Sequence, residues 1–498
     1  MKRYRLLRGA ALLLAGFVIG CRGGDPSAGP SADRITLPEL EPGTRYDAWV
    51  GFSDRGITTE RERRRIVAEL EETFDSRALA RRRLRRTRPG LFDEADYPLV
   101  ADYLEEVRST GAEIRVQSRW LNGITVLATG AELELIADLA CVAEVSDLHV
   151  HAPPPGGWPA IPAGRHRSEP APSHAGGRYG RSRLQIEQLN LDALHEAGFD
   201  GEGVLVAVID TGFDLEHEAF SDTDHPLRIA AQWDFMDNDP VAAIEPGDPP
   251  IQHEHGTLIL GTIAAYRPGV LIGSAPGASC ILCKAEDDAT EYMLEERWFV
   301  AALEFAEARG ADVISSSVVL YRGYEPDAFD GGTTVMARGW ELATGNGVIG
   351  LQGAGNAGHD DDPRTSSILT PADSRGVITV GAVRADGRIA DFSSDGPTVD
   401  GRRVPTLLAF GLGTCTVSPF DRSGYTSSAG TSMATPVLAG AAACLVQVHP
   451  EWTAAQLFSA LTRSGDYFRT HGEADPLYVH GFGLPDLELA AFAPDPDR

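Results

Sequence analysis

Short apolar runs that alternate with helix-like stretches, from about Leu184 onward, are the feature that most limits how this chain can fold. Five such runs end in small or polar residues, at positions 204–209, 280–284, 313–317, 348–352 and 377–383. Helix-like stretches such as 295–309 and 336–345 lie between them. Runs this short and apolar indicate strands buried on both faces, and their alternation with helices predicts a parallel sheet covered by helices. Functional residues are then expected at the carboxyl ends of the strands.

Two candidate chemical groups lie at such a strand end and at a helix start. Asp210 ends the run at 204–209, where an aspartate serves about as often in a turn as in chemistry. His253 and His255 precede an apolar, small-residue stretch at 258–265 that suits a packed helix. Two histidines at this spacing are able to bind a metal, but the sequence shows no evident third ligand.

A serine lies at the start of another element. Ser432 stands between Gly430 and an apolar run at 433–446, which carries Pro436 in its first turn. This pattern places Ser432 at a helix N-terminus, where serine is also a common capping residue. A helix amino end offers backbone donors and a favourable potential for developing negative charge.

Together these residues are far more specific than each is alone. A serine hydroxyl is a poor nucleophile at neutral pH, so it needs an imidazole to take its proton and a carboxylate to orient that imidazole. Asp210, His255 and Ser432 supply these groups in the chain order Asp, His, Ser, which is one of the known orders for serine hydrolases. The sequence therefore predicts nucleophilic catalysis by Ser432.

The chain resembles the subtilase family over residues 185–490. Three segments match the active-site motifs of that family: Asp210-Thr211-Gly212, His255-Gly256-Thr257 and Gly430-Thr431-Ser432-Met433-Ala434-Thr435-Pro436. The resemblance implies an α/β, three-layer subtilisin-like fold with a central, mostly parallel sheet. It also implies serine endopeptidase activity, with Asn356 of the segment 353–358 donating to the oxyanion. A Gly-Asn turn is the structural alternative for that segment.

Two places depart from the family pattern. Leu258 stands where the family usually has a second histidine, which changes the packing near His255 without blocking the proton path. In residues 314–320, which the resemblance assigns to substrate binding, the usual glycine is missing. Val319 in its place would narrow the first specificity pocket and favour small side chains, but another alignment is possible, so the substrate preference stays open.

The N-terminal end has the pattern of an exported precursor. Residues 1–20 combine a basic start with a short apolar run, as signal peptides do. The sequence before Cys21 resembles the lipobox of bacterial lipoproteins, which implies lipidation of Cys21. An ordinary cleaved signal with an incidental cysteine is the alternative. Residues 21–41 have the composition of a flexible tether.

A small α+β domain is predicted at residues 42–150. Its pattern gives extended segments at 46–52, 116–128 and 142–150, and helices at 59–79, 97–110 and 131–139. The domain resembles subtilase propeptides, best at 119–126, which implies assistance in folding and inhibition until cleavage. Residues 151–183, dense in Pro, Gly, Ser and Arg, predict a linker with a processing site before the peptidase domain at 184–498.

The charge balance limits the partners. A formal net charge of −28 argues against nucleic acid, because like charges repel. The basic stretch at 77–88 follows a mixed-charge segment and is interpreted as one exposed helix face. The predicted partners are protein or peptide substrates, the chain's own propeptide and, through a lipid on Cys21, the membrane.

The cysteines indicate no disulfide framework. Cys280 and Cys283 lie in a strand-like run, where positions three apart point to opposite faces, so buried core cysteines are favoured over a metal or redox pair. The expected chemistry requires no cofactor. Structural calcium is plausible by family analogy, and Asp360-Asp361-Asp362 is suggestive, but no ligand spacing defines a site.

The leading hypothesis is a secreted or surface serine endopeptidase that hydrolyses peptide bonds through an acyl-enzyme. A catalytically silent binding lipoprotein is one alternative, which the presence of all four site residues opposes. A subtilase-like transpeptidase is the other. It would have to exclude water, and the sequence has no evident lid-like insertion.

Overall fold

Two sheets of different kinds organise the chain. The computed structural model describes residues 35–41, 43–151, 177–288, 292–319, 323–360 and 362–493. The predicted signal peptide, Cys21 and most of the predicted linker lie outside the described residues.

The first sheet is antiparallel and has four strands. The elements of this part are β1 Arg45–Phe52, α1 Glu60–Thr73, α2 Ser76–Arg85, α3 Ala101–Ser109, β2 Glu113–Ser118, β3 Gly123–Thr129, α4 Gly130–Ala137 and β4 Val142–Val150. The strand order is β2-β3-β1-β4. The predicted helix at 59–79 is in fact two helices, because the Asp75 carboxylate caps α2 through the backbone amides of Arg77 and Ala78. The extended segment at 116–128 is a hairpin that turns at 119–122.

The second sheet lies in the larger part of the chain and is fully parallel. The elements of this part are α5 Arg183–Glu187, α6 Leu191–Glu196, β5 Leu205–Asp210, β6 Arg228–Asp234, α7 Glu254–Ala264, β7 Tyr266–Arg267, β8 Leu271–Ile272, β9 Ser279–Lys284, α8 Glu295–Ala308, β10 Val313–Ser316, α9 Val335–Gly345, β11 Ile349–Gly353, β12 Ile378–Val383, β13 Leu407–Phe410, β14 Leu412–Ser418, β15 Asp421–Ala429, α10 Thr431–Val448, α11 Ala454–Ser464, α12 Asp466–His471 and α13 Leu487–Phe492. Seven strands form the sheet in the order β13-β12-β11-β10-β5-β9-β6. Strands β9 and β6 lie on one side of β5, and β10 to β13 lie on the other side. The strand order therefore reverses between β5 and β10, and a crevice opens at the carboxyl ends of the strands at such a switch point.

Helices cover both faces of this sheet, which gives the predicted three layers. Cys280 and Leu282 of β9 pack into the core that contains α7 and α10. Ile281 and Cys283 pack into the core that contains α8 and α9. Both cysteines are wholly buried, and neither is in a disulfide. The prediction that they point to opposite faces is confirmed.

The central helix α10 carries Ser432. It has 18 residues and is long and apolar enough to cross a membrane by length and composition alone. Most of its residues are buried, and it packs against α7 and against β10, β11, β12 and β13. These contacts make α10 the core helix of the larger part, and its N-terminus lies at the carboxyl edge of the sheet.

The basic stretch at 77–88 is not an exposed helix face, so that interpretation is wrong. Arg81, Arg82 and Arg85 of α2 are each at most 4% exposed. Arg82 Nε and Nη2 donate hydrogen bonds of 2.8 and 2.7 Å to the Glu307 carboxylate at the end of α8. Arg81 pairs with the same carboxylate and donates to the Ala311 carbonyl at 2.7 Å. These arginines can be buried because carboxylates and carbonyl oxygens far along the chain accept their hydrogen bonds.

We expect Glu307→Gln to destabilise the full-length precursor by about 3–5 kcal/mol, because it removes the charge that compensates two buried guanidinium groups. Denaturant unfolding of the full-length chain measures this loss, with Ser432→Ala present in both variants and in the parent so that all three share one background. Glu341→Gln on exposed α9 surface is the matched control and should stay within about 0.5 kcal/mol of the parent. Equal stability of the two variants would contradict the expectation.

Candidate active site

Three neighbouring strands bring the predicted site residues to one edge of the sheet. Asp210 is the last residue of β5, Ser317 follows β10, and Asn356 lies three residues after β11. Since β10 lies between β5 and β11 and all three strands are parallel, these residues emerge side by side. Ser432, in the first turn of α10, is tied to the same edge because the Ser317 hydroxyl donates to its carbonyl at 3.1 Å.

Asp210 and His255 form a hydrogen-bonded pair. His255 Nδ1 donates a hydrogen bond of 2.8 Å to Asp210 Oδ1. The same oxygen accepts the backbone amide of Thr211 at 2.8 Å and its hydroxyl at 3.3 Å. Asp210 is fully buried, whereas the His255 side chain is 29% exposed. This geometry fixes the imidazole with Nε2, the nitrogen opposite Asp210, available for chemistry.

Gly256 allows helix α7 to approach the turn after β5. A Cβ atom at position 256 would lie 2.2 Å from the carbonyl oxygen of Gly212. The Gly256 amide donates to the Thr211 hydroxyl at 3.1 Å, which locks the two segments together. A side chain at position 256 would therefore push His255 away from Asp210.

The Asn356 amide is oriented by the start of α10. Its Oδ1 accepts the backbone amide of Thr431 at 2.8 Å and the Thr431 hydroxyl at 3.2 Å. With the oxygen held in this way, the Nδ2 group is the remaining donor. The position that a Cβ of Gly430 would occupy lies 2.7 Å from Ser432 Oγ and 3.6 Å from Asn356 Nδ2. The hydroxyl and the amide donor therefore border the same space.

The neighbouring motif residues have packing roles. His253 is nearly buried, its Nε2 lies 2.9 Å from the Pro419 carbonyl, and its ring packs edge-on against Phe420. Leu258, which replaces the usual histidine, is buried in the core beside α10. Of the two histidines in the motif, only His255 therefore reaches the Asp210 carboxylate.

Nearby acids control the protonation of His255. Burial lowers the pKa of its imidazole, but the charge and hydrogen bond of Asp210, reinforced by Glu286 and Asp288, raise that pKa to about 9. The surroundings therefore stabilise the imidazolium form, so the neutral imidazole that can accept a proton predominates only at alkaline pH.

Glu286 is a site residue that the sequence analysis missed. It lies two residues after β9, the strand beside β5, and its carboxylate lies within 4.8 Å of both Asp210 and His255 ligand atoms. Gln252 supports this arrangement, because its Nε2 donates at 2.6 Å to both the Thr211 and the Glu286 carbonyls. The signal in the sequence was its place just beyond a strand end.

The acidic segment considered for calcium is partly engaged in local contacts. Asp362 holds Arg364 through two hydrogen bonds of 2.7 and 2.6 Å. Asp360 accepts the Thr365 hydroxyl at 2.9 Å, and Asp361 lies outside the described residues. The expectation of structural calcium stays a prediction.

The fold and the site motifs together define a serine-type endopeptidase, and the chain belongs to the subtilase family. The profile of the Subtilase family matches residues 201–483, and that of the Peptidase S8 propeptide domain, Bacteroidota, matches residues 47–154. Among particular relatives, Subtilisin E of Bacillus subtilis is 31% identical over 307 residues, which cover 61% of this chain and 70% of that protein. The human Membrane-bound transcription factor site-1 protease is 31% identical over 287 residues, or 55% of this chain and 24% of that protein.

Solved structures show the same fold at lower identity. Fervidolysin from Fervidobacterium pennivorans, a keratinolytic enzyme related to subtilisin, matches with a TM-score of 0.58 and 22% identity over 93% of this chain and 64% of its own. MycP1 from the ESX-1 type VII secretion system matches with a TM-score of 0.50 and 22% identity over 67% of this chain and 92% of its own. The chain therefore has a subtilisin-like α/β fold and an N-terminal propeptide domain.

Proposed function

We propose that this protein hydrolyses peptide bonds through an acyl-enzyme formed on Ser432. His255 Nε2 takes the hydroxyl proton as Ser432 Oγ attacks the substrate carbonyl, and Asp210 stabilises the imidazolium. His255 then returns the proton to the departing amine as the peptide bond breaks. A water molecule attacks the resulting ester with the same proton transfers and regenerates Ser432.

The observation that carries this proposal is the 2.8 Å Asp210–His255 pair at the edge of the sheet where α10 begins, with Ser432 in its first turn. The Asn356 amide and the amino end of α10 border the same space as the Ser432 hydroxyl, which supports their proposed role as donors to the carbonyl oxygen on which negative charge would develop. The hydrogen bond between Asp210 and His255 supports the proposed role of Asp210 in orienting the base.

The test is to incubate the purified protein with a diverse peptide mixture. Mass spectrometry then identifies the cleaved bonds and any new N-terminus of the protein itself. We expect hydrolysis products and a cut within residues 151–183. Peptides joined to added amines would indicate a transpeptidase instead, and an unchanged mixture would indicate a binding protein.

Asn356→Ala should lower kcat by roughly 100- to 1000-fold, because one oxyanion donor is lost while the nucleophile and base remain. Steady-state kinetics on a peptide substrate measures this loss. Asn356→Ala also removes the acceptor of the Thr431 amide, so circular dichroism must show that the variant is folded. Near-normal turnover by the folded variant would remove Asn356 from the mechanism.

The raised pKa of His255 predicts an alkaline pH profile. The base acts when neutral, so kcat/KM should rise with pH through a limb above 6.5, the ordinary value for histidine. Asp288→Asn removes a negative charge that stabilises the imidazolium, so it should move this limb to lower pH. Asp391→Asn on exposed surface is the control. A limb that moves to higher pH, or equally in both variants, would contradict the assignment.

We propose further that the protein is exported and anchored by a lipid on Cys21. The support is the signal-like segment 1–20 and the lipobox-like sequence before Cys21. Metabolic labelling with an alkyne fatty acid should mark the Ser432→Ala precursor and should fail to mark the same chain with Cys21→Ser. Unlabelled precursor in an envelope fraction would show that the signal is of the ordinary cleaved type.

A further inference from the structure

One group of side chains at the site can take a ligand that peptide hydrolysis does not use. A ring nitrogen of His255 and carboxylate oxygens of Asp210 and Glu286 all lie within 4.8 Å of one another. These three are the one set of at least three such groups among the described residues that comes this close. The sequence analysis considered His253 and His255 as possible metal ligands. In the structure, the groups close to His255 are the carboxylates of Asp210 and Glu286.

One oxygen of the Asp210 carboxylate accepts no hydrogen bond from the described residues. All of its hydrogen bonds in the described residues go to Oδ1, which accepts from His255 and from the amide and hydroxyl of Thr211. Its Oδ2 is buried and has no hydrogen-bond partner among the described residues. A buried, unsatisfied carboxylate oxygen is costly, and a cation compensates that cost.

The cluster is held in place from several sides. Gln252, which is 1% exposed, binds the carbonyls of both Thr211 and Glu286. Lys284, paired with Asp210 in the sheet register, is anchored by ion pairs of 2.7 and 2.8 Å to Asp234 and Asp248. The segment that carries Glu286 is therefore fixed relative to the Asp210 turn, so the three ligands do not depend on a mobile loop.

We infer that His255, Asp210 and Glu286 form a zinc site through which Zn²⁺ reversibly inhibits the enzyme. One nitrogen and two carboxylate oxygens are ligands that zinc accepts, with water as the fourth. Ligands about 2.1 Å from one tetrahedral zinc lie about 3.4 Å apart, so small side-chain rotations are enough to close the site. Imidazole favours zinc over calcium and magnesium, which prefer oxygen ligands.

The inhibition follows from the groups that the ion occupies. This inference rests on the proposed roles of Asp210 and His255. An ion bound to both groups takes the imidazole lone pair and the carboxylate that proton transfer needs, so Ser432 loses its base. Removal of the ion restores both groups unchanged, because no covalent bond of the protein is altered.

The inhibition test measures initial rates of peptide hydrolysis at buffered free Zn²⁺. We expect wild-type enzyme to lose activity and to recover it when a zinc-selective chelator is added, and we expect Ca²⁺ to have no such effect. Glu286→Gln should raise the half-inhibitory zinc concentration by roughly 10- to 100-fold relative to its own uninhibited rate. Asp288→Asn is the matched control, because it removes the same charge from the same segment without removing a ligand, and it should shift that concentration far less.

A second measurement does not depend on activity. Equilibrium dialysis of the full-length Ser432→Ala chain, which keeps all three ligands, should show one zinc ion that is lost in the same chain with Glu286→Gln. An active enzyme that zinc does not inhibit, or whose inhibition and bound zinc are unchanged by Glu286→Gln, would overturn the inference. An inactive wild-type enzyme would instead refute the proposed function, and dialysis would still decide the zinc site.

Discussion

Ser432→Ala should abolish peptide hydrolysis, with a loss of kcat on the order of 10⁶, the magnitude known for removing the nucleophile of a serine triad. We expect a loss this large because Ser432, in the first turn of α10, carries the proposed nucleophile, whereas the neighbouring Thr431 hydroxyl is hydrogen-bonded to Asn356. Steady-state assays with a fluorogenic peptide measure the turnover. Gel electrophoresis should also show that the variant accumulates as full-length precursor.

Ser427→Ala provides the control for this variant. Ser427 lies on β15, five residues earlier in the chain, and is exposed, so its loss should leave both hydrolysis and self-processing intact. Substantial turnover by purified Ser432→Ala would refute the assignment of the nucleophile. Normal processing of that variant in cells lacking other proteases would do the same.

His255→Ala should lose a similar factor in kcat, about 10⁶, since a serine triad loses most of its advantage when either the nucleophile or the base is removed. Asp210 then has no imidazole to orient, and the Ser432 proton has no acceptor. The effect should be confined to kcat, because substrate contacts outside the triad are preserved. Single-turnover mixing with a chromogenic ester would show whether any acyl-enzyme still forms.

His253→Gln is the matched control, since it changes the other histidine of the same motif. His253 contacts the Pro419 carbonyl and the Phe420 ring, so its replacement should affect stability more than turnover. A loss of turnover in His253→Gln as large as in His255→Ala, with both variants folded, would argue that the two histidines act as one unit.

The parallel sheet was predictable because its strands are buried on both faces and therefore form continuous apolar runs. Two strands of this sheet, β6 and β13, were not predicted because neither forms a long apolar run. In β6, Arg228–Asp234, which is one of the two edge strands, the first three residues are exposed, and no apolar run marks the strand. In β13, Leu407–Phe410, only four residues are in the strand. The bounds of the five predicted strands differ from the observed ones by at most one residue at either end, which is within the usual uncertainty of element ends.

The site was predictable as far as its motifs extend. Asp210 and Asn356 come to one edge through the strand order, whereas His255 and Ser432 lie in the first turns of α7 and α10, which pack against the sheet. Glu286 belongs to no motif, and its distance to His255 depends on the order of β5 and β9. The burial of Arg82 depends in the same way on Glu307, 225 residues later in the chain. Local charge patterns cannot reveal partners at that separation.

If the linker is cut as proposed, the arginines of α2 would separate the moment of activation from the moment of the cut. Such a cut would break one covalent bond and would leave the ion pairs of buried Arg81 and Arg82 with Glu307 to be broken separately. Separation requires these charges to be rehydrated together, so we expect a long residence time of the cut propeptide on the enzyme. The rate of propeptide dissociation, and not the rate of cleavage, would then determine when activity begins. If the propeptide carries a lipid, the enzyme would stay at the cell surface during this delay. The rate at which α2 dissociates from the enzyme would then decide whether the enzyme becomes active at the cell surface or away from it.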